Sequence, residues 1–118
     1  MGSNERAAPA VQSTLDVAVR THPKRTVVTL AGTIDTDTCP SLTKVTDTLP
    51  LDGRPLALDL TAVTFMASCG LNAFLALRNR AEAHGNRLEL ICVPRPVLRM
   101  LDLTGTRRLF ALTPCPTP

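Results

Sequence analysis

The order of two hydrophobic periodicities along this chain restricts the folds that it can adopt. Apolar and polar residues alternate over 14–20, and a β-branched run over 26–31 follows a His-Pro-Lys turn, which predicts two strands joined as a hairpin. Apolar residues then recur at helical spacing from Leu42 to Leu49, and Pro50 ends this predicted helix. Its candidate N-cap residues are Thr36, Asp37 and Thr38.

The second half of the chain continues to alternate strands with helices. Short apolar runs predict three further strands, at 56–60, 87–93 and 109–112. One helical pattern between them begins at Leu71 and continues to His84, with Gly85 just after its end, and the other opens at Pro94 and is ended by Gly105. The resulting order, β-β-α-β-α-β-α-β, implies crossover connections. We therefore expect an α/β fold with a small mixed, mostly parallel β-sheet flanked by about three helices.

The length of 118 residues suits one domain. We expect a flexible leader at 1–13, the domain itself at 14–112 and a Pro-rich tail at 113–118. Hydrophobic residues make up 44% of the chain, which is enough for a folded core. That core must be aliphatic, because the chain has no Trp, no Tyr and three Phe.

Composition argues against nucleic-acid and membrane partners. The net charge of +3 is mild and the basic residues are dispersed, whereas a nucleic-acid footprint needs a basic cluster. Aromatic residues for base stacking are almost absent. No apolar run approaches the roughly 20 residues of a membrane span, and the N-terminal residues have no signal-peptide pattern. We therefore expect a cytoplasmic protein.

The four cysteines and two histidines do not have the spacing of a metal site. The cysteines, at 39, 69, 92 and 115, form no CxxC pair. Their even number is compatible with disulfides, but the absence of an export signal favours reduced cytosolic thiols. We expect no metal and no cofactor.

Ser68 is the strongest candidate for a functional residue in this sequence. It lies where a buried strand's trailing loop meets a predicted helix, whose first N–H groups lack partners and carry the positive end of the helix dipole. A phosphate there gains about 0.3–2 kcal/mol from the dipole. The same charge inside a protein interface costs several kcal/mol if it is unpaired. The residues alone leave two interpretations open, a plain N-cap and a phosphorylation switch.

Enzyme motifs are missing from the chain. The strand-loop-helix junction at Ser68 lacks the Gly-x-Ser-x-Gly pattern, because Met66 stands at the first glycine position. No acid–histidine pair is suggested, and neither GxGxxG nor GxxxxGK[ST] occurs. We therefore expect a binding protein and no enzyme.

Three stretches of the chain, in this order, resemble the STAS family, and specifically the bacterial anti-sigma factor antagonists. They are Gly32-Thr33-Ile34-Asp35, Phe65-Met66-Ala67-Ser68-Cys69-Gly70-Leu71 and Leu101-Asp102-Leu103-Thr104-Gly105, within a resemblance over about residues 13–112. The resemblance implies a protein that binds an anti-sigma factor and thereby frees a sigma factor for transcription. That partner is also a serine kinase that supplies the ATP, and a separate phosphatase reverses its action.

The resemblance also implies which residues act. Ser68 matches the serine that the partner phosphorylates, and Asp35 matches an acidic residue beside it that contacts the partner. The implied contact surface is centred on Asp35, Ser68, Cys69 and Gly70, with Thr33, Thr36 and Asn72 at its edge.

Two residues depart from the family pattern. Ala67 replaces an aspartate, and Cys69 replaces a second hydroxyl residue. Ala67 favours an alternative function, a STAS-type scaffold or constitutive binding module without a phosphorylation cycle. Cys69 suggests another, a redox-sensing or small-ligand module, because a thiol at a helix N-terminus ionises more easily. Otherwise Cys69 is a small apolar residue in a packed turn.

Overall fold

Five strands and three helices follow one another in the predicted order over residues 14–115, the part of the chain that the computed structural model describes. The predicted leader and residues 116–118 lie outside it. The elements are β1 (Leu15–Thr21), β2 (Thr26–Ile34), α1 (Cys39–Thr48), β3 (Leu56–Met66), α2 (Ser68–Ala83), β4 (Leu88–Ile91), α3 (Arg95–Thr104), a 3-10 turn (Arg107–Leu109) and β5 (Ala111–Thr113). Thr113, assigned to the tail by the sequence, is the last residue of β5.

The strands form one sheet in the order β1-β2-β3-β4-β5. The first pair is the predicted antiparallel hairpin, and the other three pairs are parallel. The α/β fold and the mostly parallel sheet are therefore confirmed. Parallel pairing matters for the site, because it brings the segments that follow β2, β3, β4 and β5 to one edge of the sheet.

Strands β2 and β3 are longer than the sequence predicts. Their register shifts twice along their shared length, between Thr29 and Ala31 and again between Gly32 and Thr33. Such irregularities break the alternation of buried and exposed residues from which strand ends are read. Gly32 is required at this point, because its φ is +117° and an ideal Cβ would lie 2.3 Å from the carbonyl oxygen of Thr14.

The core is aliphatic, as predicted, and lies between the sheet and the helices. Phe74 is the largest side chain that is fully buried, and leucines from β2, β3 and the helices surround it. The fully buried leucines are Leu30, Leu42, Leu56, Leu58, Leu60, Leu77, Leu90 and Leu101.

The prediction of reduced thiols is wrong, because the structure pairs all four cysteines. Cys39 is bonded to Cys69, with 6.4 Å between their Cα atoms, and Cys92 is bonded to Cys115, with 4.5 Å. Each pair joins segments that follow neighbouring parallel strands, β2 with β3 and β4 with β5. Residues far apart in the sequence therefore meet at one sheet edge, an adjacency that cysteine spacing cannot reveal.

Candidate functional site

The candidate site forms where the segments after β2 and β3 run side by side. The last residues of the two strands, Ile34 and Met66, are paired in register. The backbone N–H of Ala67 then donates to the carbonyl oxygen of Ile34 at 2.7 Å. This bond continues the strand pairing by one residue and brings Asp35 to the same end of the sheet as Ser68.

Asp35 organises the first half of the site, the loop that enters α1. Its Oδ1 accepts hydrogen bonds from the backbone N–H groups of Asp37 at 2.9 Å and Thr38 at 3.1 Å. The hydroxyl of Thr38 accepts from the N–H of Asp35 at 2.9 Å and donates to the carbonyl oxygen of Thr33 at 2.8 Å. Among the predicted N-caps, Thr38 holds the cap position but makes no side-chain cap bond. The loop is therefore fixed by a local network centred on Asp35.

Ser68 is the first residue of α2 and is exposed. The N-cap position belongs to Ala67, whose φ of −85° and ψ of 170° are typical of a cap but whose side chain cannot accept a hydrogen bond. The interpretation of Ser68 as a plain N-cap is therefore wrong. Within residues 14–115 its hydroxyl makes no hydrogen bond, so it projects unengaged from an uncapped helix start.

Gly70 lies where the first turn of α2 packs against the ends of β2 and β3. It is buried, and an ideal Cβ on it would lie 2.6 Å from Cγ2 of Ile34 and 2.8 Å from Cγ of Met66. Its N–H donates to the carbonyl oxygen of Ala67 at 2.9 Å. The absence of a side chain therefore lets the first turn of α2 lie directly on the ends of β2 and β3. Gly70 is therefore packed into the support of the site, and the partner contact that the sequence predicts for it stays a prediction.

The predicted edge residues lie around this centre. Thr33 is half-buried, with its hydroxyl 3.3 Å from that of Thr64 on β3. Thr36 is exposed in the Asp35 loop, and Asn72 is exposed one helical turn after Ser68. Apart from Gly70, the predicted residues therefore form one surface from two segments, which we call the Ser68 surface: Thr33, Asp35 and Thr36 from the first, and Ser68, Cys69 and Asn72 from the second.

Two features beside the Ser68 surface were not found from the sequence. One is the bond between Cys39, the first residue of α1, and Cys69. The other is a groove of about 450 Å³ between the end of β3 and α3, with an exposed Phe65 on one wall and an exposed Leu103 on the other. The sequence did contain a signal for this groove. Leu103 lies outside the apolar stripe that Val97 and Leu101 form on α3, so the pattern indicates an apolar side chain that the core does not bury.

The described residues supply neither a metal cluster nor a membrane helix. Over 14–115, no three His, Cys, Asp or Glu side chains come together in a way that could hold a metal ion. No helix in the same range has the length and apolar character needed to cross a bilayer.

Comparison with known proteins places the chain in a family. The family model described as "Mlab, STAS domain" matches residues 17–113. The anti-sigma-B factor antagonist of Bacillus subtilis is 26% identical over 99 residues, which cover 84% of this chain and 91% of that protein. The crystal structure of an anti-sigma factor antagonist from Mycobacterium paratuberculosis superposes with a TM-score of 0.76 at 28% identity, and the match covers 88% of this chain and 87% of the other.

A more distant likeness concerns the fold alone. The structure of the anti-sigma factor antagonist SpoIIAA in its unphosphorylated form superposes with a TM-score of 0.71 at 15% identity. The match covers 86% of this chain and 89% of the SpoIIAA chain. This superposition shows that the two chains share a fold. Since the family model spans most of the residues and the solved relatives share the architecture, the chain belongs to the STAS domain family.

Proposed function

We propose that this chain is an anti-sigma factor antagonist that acts by binding and not by catalysis. Its Ser68 surface binds an anti-sigma factor in the cytoplasm, and that binding releases a sigma factor for transcription. The observation that carries the proposal is the exposed Ser68 hydroxyl, unengaged by any described residue, beside the ordered Asp35 loop. The names of the Bacillus subtilis and Mycobacterium paratuberculosis relatives support it.

The proposal includes a switch at Ser68. The partner is a serine kinase that binds ATP itself, and transfer of the γ-phosphoryl group to the Ser68 oxygen adds about −1.5 to −2 charges at the start of α2. The uncapped N–H groups and the helix dipole accommodate this charge in the free domain. In the complex the phosphate must lose its water beside the Asp35 loop, which costs several kcal/mol if no cation pairs with it. Phosphorylation therefore ends binding, and a phosphatase restores it.

Partner capture from the native cell tests this function. We expect wild type and Ser68→Ala to retain a common partner and Ser68→Asp to lose it. Asn79→Asp is the matched control, because it adds the same charge at an exposed position of α2, about 16 Å further along the helix. It should bind like wild type. Identical partner sets for Ser68→Ala and Ser68→Asp would refute the switch.

Intact mass measurement with the captured partner and ATP separates the two candidate functions. Wild type should gain the mass of one phosphoryl group, whereas Ser68→Ala should gain none. Ala67 favours the alternative of a constitutive binding module, because the family aspartate next to the acceptor is missing. Stable binding of wild type with no gain in mass would establish that alternative and exclude the phosphorylation cycle.

A further inference from the structure

We propose that Cys39 and Cys69 form a reversible thiol–disulfide site that locks the two halves of the Ser68 surface together. The chemistry of this site is a property of the chain alone. Its regulatory meaning, control of access to Ser68, rests on the function proposed above.

The position of the bond carries the inference. Cys39 follows the Asp35 loop directly, and Cys69 follows Ser68 directly. Their bond is therefore a covalent link between the two segments that supply the Ser68 surface. Non-covalent contacts also tether the Ser68 segment to β2 and β3, among them the Ala67–Ile34 hydrogen bond, the packing at Gly70 and the burial of Leu71 in the core.

The two cysteine residues differ in exposure in a way that suits exchange. Cys69 is half-buried and accessible from the surface, whereas Cys39 is only 8% exposed. Both residues lie in the first turn of a helix, where the N-terminal N–H groups stabilise a thiolate, the species that attacks a disulfide. Cys69 therefore reacts first, and Cys39 resolves the mixed disulfide.

The step balances with a small-molecule disulfide as oxidant. The Cys69 thiolate attacks one sulfur of that disulfide, the sulfur–sulfur bond breaks, and one small thiol leaves with a proton from solvent. The Cys39 thiol then loses its proton and attacks the Cys69 sulfur, the Cys39–Cys69 bond forms, and the second small thiol leaves. Two protein thiols are oxidised and one disulfide is reduced to two thiols. A dithiol reductant reverses both steps.

Oxidation restricts the movement of the segment around Ser68, which a kinase must bind in its active site. Phosphoryl transfer requires the Ser68 oxygen to be positioned in the kinase's own site, where a misplacement of about 1 Å can cost roughly 10²-fold in rate. A bond from the adjacent residue to α1 resists the displacement of the segment that this alignment needs. We therefore expect the oxidised form to present an ordered binding surface and to be phosphorylated more slowly than the reduced form.

The first experiment uses the isolated chain in glutathione buffers of defined composition. Peptide mapping after alkylation should show the Cys39–Cys69 crosslink in oxidised glutathione and its loss in dithiothreitol. Hydrogen exchange of the amides over 67–71 should be about tenfold slower in the oxidised form. The matched control is the double variant Cys92→Ser/Cys115→Ser, which removes the other disulfide and should respond like wild type. Cys69→Ser should show no redox response in these amides.

Three results would overturn the site, and none of them depends on a partner. They are the absence of the crosslink, equal exchange over 67–71 in the two redox forms of wild type, and a response that the double variant abolishes. A second experiment, with the captured partner and ATP, tests regulation: the initial phosphorylation rate should be about tenfold lower for the oxidised chain. Equal rates would refute the regulatory role. A failure to capture any partner would instead count against the proposed function and leave the first experiment unaffected.

Discussion

Replacing Ala67 with aspartate should stabilise the domain, because Ala67 holds the N-cap position of α2 without an acceptor. Its backbone already has cap geometry, so the new carboxylate needs no rearrangement. The N–H of Gly70 is bonded to the carbonyl oxygen of Ala67 at 2.9 Å, which leaves the N–H of Cys69 as the donor that the carboxylate would engage. A cap of this kind contributes about 0.5–2 kcal/mol, and the dipole adds about 0.3–1 kcal/mol at low salt.

After the loss of side-chain freedom we expect a net gain of about 1 kcal/mol, which raises the Tm by about 4–8 °C for a domain of this size. Thermal unfolding by circular dichroism, at fixed redox state, measures it. Ala67→Asn separates the hydrogen bond from the charge, and Ala76→Asp places the same side chain at an exposed position in the interior of α2. The Asn variant should gain slightly less, and the Ala76 control should stay within about 0.5 kcal/mol of wild type. An unchanged Tm in both Ala67 variants would show that the start of α2 needs no acceptor.

Two further substitutions test the packing that holds the site and the sheet. Gly70→Ala should destabilise the domain by about 1–3 kcal/mol in chemical denaturation, because the new methyl group would lie within 3 Å of the side chains of Ile34 and Met66. A more stable variant would contradict the close approach of α2 to the ends of β2 and β3. Asn86→Ala should cost about 2–3 kcal/mol, because Asn86 is buried and its amide accepts from the N–H of Gly53 at 3.0 Å and donates to the carbonyl oxygen of Arg54 at 2.6 Å. Asn79→Ala, at an exposed position, is the control for Asn86→Ala and should change the unfolding free energy by less than about 0.5 kcal/mol.

The helices and their order could be predicted because local chemistry marks them. Gly85 and Gly105 have positive φ values of 75° and 69° at the ends of α2 and α3, as the sequence predicts for glycines after a helix. The hairpin followed equally from the alternating pattern before a short turn. These features depend on neighbours within a few residues.

What the sequence could not supply depends on contacts between distant segments. The extension of β3 to Met66 follows from its pairing with β2 across two register shifts, although its exposed residues after Leu60 give no strand-like alternation. The plain N-cap interpretation of Ser68, one of the two left open, misplaced the cap by one residue, because the hydroxyl of Ser68 suggested a cap whereas the backbone places Ala67 there. The prediction of free thiols was wrong because the paired cysteines are far apart in the sequence. Cys39 and Cys69 meet only once β2 and β3 are paired.

The disulfide relates the two departures from the family pattern, Ala67 and Cys69, to each other. An aspartate before Ser68 would tether the start of α2 through a cap of about 1 kcal/mol that is present in every redox state. This chain has Ala67 there, and the next residue after Ser68 supplies a bond to Cys39 instead. Closing a loop with a sequence separation of 30 restricts the unfolded chain by about 3–4 kcal/mol in the chain-entropy model. The disulfide therefore adds more to the stability of the folded domain than such a cap would, and it does so only while the thiols are oxidised. Under the redox site proposed above, the anchoring of Ser68 becomes conditional on redox state, whereas a carboxylate cap would make it permanent.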